Sequence, residues 1–230
     1  MKILKRILLL ILLLALLGGI VFAGVGFFNY KSAINKESIE DKVSEIQGRS
    51  EYVSSEDISP YLLKATVSIE DHRFYDHNGV DYFAMLRALV SNIFAKGIVG
   101  GGSTITQQLA KNLYFDYQST YLRKASEVFM AYDLEGKLSK EAILELYVNV
   151  INYGDNYIGI KAASEGYFGK EPKDLSLNEA TLLAGLPQSP SNYQLSDHKE
   201  NALKRQKQVL EAMVRDEEIT EAQMELIVGK

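Results

Sequence analysis

From Ile7 to Phe28 the chain runs through twenty-two residues without one charged side chain. As an α-helix such a run measures roughly 33 Å at ~1.5 Å per residue, which matches the ~30 Å hydrocarbon core of a bilayer. A cleavable secretory leader is the rival reading, but leaders carry apolar regions of only about 7–15 residues followed by an Ala-x-Ala-like site. Val21-Phe22-Ala23 does not offer that site. The run is therefore read as an uncleaved membrane anchor. Lys2, Lys5 and Arg6 precede it, and the positive-inside tendency keeps them in the cytoplasm and places everything after Tyr30 on the other side of a plasma membrane.

About two hundred residues follow the anchor, enough for one compact domain and hardly for two. They carry 22 Lys+Arg against 30 Asp+Glu, a net charge of −8, so nucleic acid is rejected as a partner. With 0 cysteines there is neither a disulfide framework nor a thiolate metal site nor a cysteine nucleophile.

The chain divides into a cytoplasmic tip and anchor (1–30), a polar stalk of mixed charge, helical in part (31–55), a main domain (56–215) and a helical C-terminal tail (216–230). Helical periodicity dominates the main domain and alternating strand-type stretches are nearly absent, so the fold class is mainly α. Tyr61, Leu62, Ala65 and Ile69 recur on one helix face after Ser59-Pro60, and that helix delivers Glu70 to a loop or its edge. Residues 80–96 are helical in period, yet Tyr82, Phe83, Met85, Leu86, Leu89, Val90, Ile93 and Phe94 cover more than an ordinary core stripe. Such a helix is either buried on most sides or lies partly in lipid. The Gly-rich stretch from Gly97 to Gly102 reads as a loop that moves. Capping boxes are predicted at Thr104/Gln107 and Ser176/Glu179, and Ser139 and Thr220 open further helices. Leu122, Ala125, Phe129 and Tyr132 are expected to form a buried stripe, and Leu203, Val209, Leu210, Met213 and Val214 the apolar face of a segment over 197–215.

The ionisable cluster Glu70, Asp71, His72, Arg73, Asp76 and His77 taken alone suits a solvated loop as well as a catalytic one. His72 and His77 stand five apart, which is not the helical metal-ligand spacing, and no third ligand is apparent. Gly-Gly-Gly-Ser-Thr-Ile-Thr-Gln-Gln over 100–108 is more informative: free N–H groups at a helix start, small hydroxyl residues and the following Lys111 favour an anion such as phosphate. A well-capped surface helix is the bland alternative, and an isolated Arg123/Glu127 pair is worth only a few tenths of a kcal/mol.

In combination these stretches carry a resemblance. Residues 70–81 (EDHRFYDHNGVD), 101–112 (GGSTITQQLAKN), 123–127 (RKASE), 140–149 (KEAILELYVN) and 159–170 (GIKAASEGYFGK) occur in order and resemble the motifs of the family 51 peptidoglycan glycosyltransferases. That family comprises the monofunctional transglycosylases and the polymerase module of class A penicillin-binding proteins. The resemblance covers about residues 55–215 and implies a lysozyme-like helical lobe with a smaller membrane-proximal jaw around the glycine-rich loop. It favours the interfacial reading of residues 80–96.

The resemblance further implies that Glu70 is the general base and Glu127 a second acid assisting a diphosphate leaving group, directly or through a divalent cation such as Mg or Mn. No organic cofactor is implied. Asp71, Ser103, Thr104, Gln107, Gln108, Lys111, Arg123 and Lys124 are expected to bind substrate, and Glu145 and Asn149 to brace the cleft from behind. The implied substrates are lipid II and the growing lipid-linked glycan strand, polymerised into β-1,4-linked glycan with inversion and release of undecaprenyl diphosphate, with other cell-wall synthesis proteins as candidate partners. Ser119 stands where many relatives carry arginine, so diphosphate binding is expected to be weaker or differently arranged. A lysozyme-like glycan-cleaving enzyme and a non-catalytic membrane-tethered scaffold are the two rival readings. Ser196-x-x-Lys199 resembles a transpeptidase element, but no Lys-Thr-Gly follows, and a monofunctional chain is expected.

Overall fold

The computed structural model describes residues 2–94, 101–115 and 121–229. Its first helix, α1 (Lys2–Lys36), contains the whole apolar run and continues past it. From Ile3 to Gly24 its residues are exposed, whereas from Val25 onward it begins to be covered by the rest of the chain.

The remainder is helical: α2 (Ile39–Gln47), α3 (Pro60–Glu70), α4 (Tyr82–Phe94), α5 (Ile105–Tyr114), α6 (Tyr121–Lys137), α7 (Lys140–Val150), α8 (Ile160–Phe168), α9 (Leu177–Gly185), α10 (Pro190–Tyr193), α11 (Lys199–Arg215) and α12 (Glu221–Val228). Among the described residues the only β-type pairing is one antiparallel bridge, Asn152 with Ile158. The mainly α expectation therefore holds. α5 packs between α6 and α7, and α3 against α9 and α11, around a core that includes Leu62, Phe74, Leu109, Met130, Leu134, Tyr147, Leu183 and Val209.

Local signals place the helix starts. Pro60 stands at the first turn of α3, where its missing N–H costs nothing. Capping boxes close at Thr104/Gln107, Ser176/Glu179 and Thr220/Gln223, and Ser139 caps α7 by accepting from the N–H of Ala142.

Several sequence expectations need correction. Residues 31–55 are not a free stalk, because Ile39 and Ile46 of α2 are each only 1% exposed and belong to the core with Tyr30 and Val53. Their spacing puts both on one face of α2, while its acids and Lys42 occupy the others. On α6 the stripe divides: Ala125 is buried and Phe129 partly so, but Leu122 and Tyr132 are exposed, and the face turned to the core carries Met130, Ala131 and Leu134. Leu203 on α11 is likewise exposed, whereas Val209, Leu210 and Met213 are fully buried. Most of the glycine-rich stretch, residues 97–100, and Ser119 lie outside the described residues.

Candidate active site

Glu70 is the last residue of α3, and Asp71 caps the helix. The helix end leaves the Glu70 carboxylate in a groove lined also by Ile69, Gly101, Ser103, Gln108, Lys111, Arg123, Lys124, Glu127, Pro187, Gln188 and Arg205, with a cavity of about 490 Å³. Both acids singled out in the sequence thus open into one cavity, although they lie on different helices.

The carboxylate of Glu70 is held from two sides. Gln108 Nε2 donates to Oε2 at 2.7 Å, and Arg205 Nη2 approaches Oε1 at 3.4 Å. Tyr147 Oη donates in turn to Gln108 Oε1 at 3.1 Å, which fixes the amide's orientation so that its N–H faces the acid. Burial pushes the Glu70 carboxyl above the ordinary carboxylate range; Gln108 and Arg205 oppose that rise, and neighbouring Asp71 adds to it.

Glu127, on the cleft side of α6, is 2% exposed. Arg123 Nε lies 2.8 Å from its Oε1, and Lys124 Nζ 2.8 Å from its Oε2. The same ammonium donates to Ser103 Oγ at 2.7 Å, tying the segment before α5 to α6. Lys111 faces this group from α5. Its pKa is lowered, first by burial and then by Arg123 and Lys124, which Glu127 partly offsets. Four cationic groups around one cavity, counting Arg205, make a receptor for an anion larger than one carboxylate.

On its other side Glu70 borders a second cavity of about 380 Å³, lined by His72, Arg87, Arg215 and the segment from Gly101 to Thr104. Arg215 Nη2 donates to the carbonyl of Ser68 at 3.0 Å, anchoring α11 to α3. His72 is pushed towards its neutral form, by burial first and then by Arg215 and Arg87. Close packing forms the wall here: a β-carbon on Gly102 would lie 2.8 Å from Cα of Met85 in α4, so only glycine lets the two segments touch.

Of the expected substrate-binding side chains, Gln107 lines neither cavity, while Thr104 and Asp71 line the second one and also hold the fold together. Gln107 is fully buried, and its Oε1 accepts the N–H of Thr104 at 3.1 Å in the capping box. Thr104 is 1% exposed and donates to the carbonyl of Gly79 at 2.6 Å. Asp71 accepts from the N–H of Ile105 at 3.0 Å and meets His77 Nε2 at 2.9 Å, so it holds the start of α5. Ser103, Gln108, Lys111, Arg123 and Lys124 do line the cavity.

Glu145 and Asn149 are not in the groove. Glu145 accepts from Tyr52 Oη and from the N–H of Ser55 at 2.6 Å. Asn149 exchanges two bonds with the backbone of Val53, at 2.9 Å and 2.8 Å, so the pair staples residues 52–55 to α7. Among the described residues no three His, Cys, Asp or Glu side chains gather as a metal site. Both oxygens of Glu127 already face cations, so the donor set does not fit a divalent ion held by the protein alone.

Arg205, Pro187 and Gln188 were missed in the sequence. A signal for Arg205 existed: it occupies the core-facing phase of α11 with Ala202, Gln206 and Val209, and a charge in that phase needs a buried partner.

Comparison with known proteins identifies the family. The family described as Transglycosylase matches residues 37–214. Penicillin-binding protein 2D of Bacillus subtilis (strain 168) is 43% identical over 177 residues, covering 77% of this chain and 26% of the relative. Penicillin-binding protein 1A of Neisseria lactamica is 42% identical over 192 residues, 83% of this chain and 24% of the relative. The Aquifex aeolicus (strain VF5) protein of that name is 44% identical over 179 residues, 78% and 25%. A crystal structure of penicillin-binding protein 1A from Haemophilus influenzae aligns with a TM-score of 0.47 at 21% identity, covering 78% of this chain and 17% of that one. The chain thus spans about a quarter of the length of the curated relatives it matches. A match that runs from α2 to the last turns of α11 and takes in both acids of the groove assigns the chain to the transglycosylase family.

Proposed function

We propose that the chain is a peptidoglycan glycosyltransferase, anchored in a bacterial plasma membrane by α1, that polymerises lipid II into β-1,4-linked glycan on the outer face. The observation that carries this reading is the opening of Glu70 and Glu127 into one cavity beside Lys111, Arg123 and Lys124.

In this mechanism Glu70 takes the proton from the 4-hydroxyl of an acceptor GlcNAc as that oxygen attacks C1 of the donor MurNAc. The bond from C1 to the diphosphate oxygen breaks on the opposite face, so the anomeric carbon inverts and undecaprenyl diphosphate leaves. A sugar hydroxyl is a poor nucleophile, and a positioned base contributes about 10²–10⁴-fold. The raised affinity of Glu70 for a proton makes it a stronger base than an exposed carboxylate. Arg123, Lys124 and Lys111 stabilise the charge that grows on the departing diphosphate, and Glu127 holds the first two in place.

Cationic side chains border both cavities that meet at Glu70. That distribution favours a polymerase over a glycan-cleaving enzyme, because joining two lipid-linked sugars brings a diphosphate to each side of the base, whereas cleavage of finished glycan brings none. Purified full-length chain in lipid vesicles with labelled lipid II is expected to yield polymer, and Glu70→Gln to reduce the yield at least about 10²-fold. Shortening of finished polymer without elongation would establish the cleaving enzyme instead, and wild-type yield from the glutamine variant would remove Glu70 from the mechanism.

A further inference from the structure

α6 has two working faces. One carries Arg123, Lys124 and Glu127 into the groove. The other presents Ala125, Phe129, Asp133 and Lys137, spaced four residues apart, to the chain's N-terminal helices. Gly26 of α1 lies directly on Ala125: a β-carbon there would be 2.4 Å from Cβ of Ala125 and 2.9 Å from its carbonyl carbon. Phe27 meets Phe129 edge-on with ring centroids 5.4 Å apart, and Tyr30 stacks on Phe129 at 6.2 Å. Tyr30 Oη donates to Asp133 Oδ2 at 2.8 Å, and Lys137 pairs with Glu40 of α2 at 3.0 Å.

Residues two apart on a helix point about 200° away from each other, so Ala125 rests on Gly26 while Arg123 and Glu127 face the groove. Gly26 also belongs to the last turn of the apolar run, which ends at Phe28. The contact therefore sets the level of Arg123, Lys124 and Glu127 at one end of the membrane-crossing segment.

We propose that α1 is a positioning element of the active site as well as a tether: its packing through Gly26 against Ala125 fixes where α6 holds Glu127 and its two cationic partners relative to Glu70 and to the bilayer surface. This rests on the proposed reaction and on α1 as the anchor. A methyl group at position 26 needs about 3.5–4.0 Å to the nearest carbon and finds 2.4 Å, so the two helices must part by an ångström or so. Shifts of that size in a catalytic constellation cost about 10²-fold. The substitution works against its own helix propensity, since alanine favours a helix over glycine, so lost activity is not explained by a weaker α1. Gly24 supplies the control, because a β-carbon there meets nothing within 4 Å.

The test uses the full chain in vesicles with lipid II, measuring kcat, KM and vesicle retention for Gly26→Ala, Gly24→Ala, Ala125→Gly and the double variant Gly26→Ala/Ala125→Gly. Gly26→Ala is expected to lower kcat at least about tenfold with KM and vesicle retention little changed. Gly24→Ala should match wild type, and adding Ala125→Gly to Gly26→Ala should recover only part of kcat, because it removes the 2.4 Å methyl contact but leaves the backbone carbonyl carbon of residue 125 at 2.9 Å. Wild-type kcat in Gly26→Ala overturns the proposal, as does an equal loss of kcat in Gly24→Ala. If the unsubstituted chain makes no polymer, the proposed reaction itself has failed, and the two failures are distinguishable.

Discussion

As the proposed general base, Glu70 has to satisfy two opposed demands: shielding from water, which strengthens it as a base, and enough ionisation to act as one at all. Burial supplies the first, and Arg205 with Gln108 supplies the second. Removing the arginine leaves burial and Asp71 less opposed, so the proton affinity of Glu70 must rise further. In Arg205→Ala the acid limb of the kcat/KM profile, which reports the free enzyme's base, is therefore expected to move to higher pH. Arg205→Lys should move it less, because a charge remains. A pH–rate series with lipid II checks this, and an unmoved limb in Arg205→Ala would show that the arginine does not act on the base. That Glu70 and Glu127 belong together was legible only through the ordered set of motifs and the resemblance it carries, since each motif taken alone suited a bland surface role. Arg205 was not, since it reaches Glu70 across 135 positions, and no local pattern encodes a pairing that long. Gln107 was misplaced for the converse reason: its motif marks a helix start, and the cap consumes the side chain.

The helix that carries Lys111 and Gln108 is fixed at its first turn. Thr104 accepts from the N–H of Gln107 at 3.1 Å and donates to the carbonyl of Gly79, while Asp71 takes the N–H of Ile105. Thr104→Ala is expected to cost about 1 kcal/mol, a fall of roughly 2–4 °C in Tm for a domain of this size, with Thr104→Ser retaining most of it. Thermal unfolding followed by circular dichroism in detergent measures the change; a large rise in KM at unaltered Tm would instead make Thr104 a substrate contact. Asp81 plays a comparable part for α4, accepting from the N–H of Ala84 at 2.9 Å and from Arg73 Nε at 2.9 Å. The Arg73 guanidinium, ahead of the helix N–H, holds its pKa down to about 2 against an ordinary 3.8. A depressed carboxylate stabilises the fold above its unfolded-state pKa and loses that contribution as pH falls through the folded one. Asp81→Asn should therefore lose about 1–2 kcal/mol near neutrality and converge on wild type as acid unfolding proceeds from about pH 4 towards 2. At this scale the sequence was most transparent, because caps are written within four residues of one another. Where it misled, as with residues 31–55, the deciding contacts were distant: α7 staples residues 52–55 through Glu145 and Asn149, and α2 buries only a narrow apolar edge beneath many charges.

Two apolar features of the whole molecule face outward, and they are not the same kind of feature. α1 is long and apolar enough to cross a bilayer by itself. α4 is amphipathic and lies folded beside the groove, yet it exposes Phe83 at 74%, Leu86 at 60% and Phe94 at 84%. A soluble protein would normally cover a patch of such side chains. If α1 is the anchor, as proposed, its docked end lies level with Arg123 and Glu127, and a second contact with lipid is expected at α4, which would hold the groove open towards the membrane surface. Deleting residues 1–24 removes a helix that is exposed from Ile3 to Gly24 and leaves the packing from Val25 onward in place, so the shortened chain should fold and still bind vesicles through α4. Large apolar side chains are each worth about 1.5–3 kcal/mol when fully buried, and partial insertion at an interface recovers some fraction of that. Replacing Phe83, Leu86 and Phe94 together with Ser in the shortened chain should then weaken vesicle flotation by at least about tenfold. In the chain with α1 intact, where the proposed anchor would carry retention, the same three changes should leave flotation intact but lower polymer yield. If the shortened chain floats equally well with and without them, α4 is not the second lipid contact, and the groove must be held at the bilayer by the anchor alone.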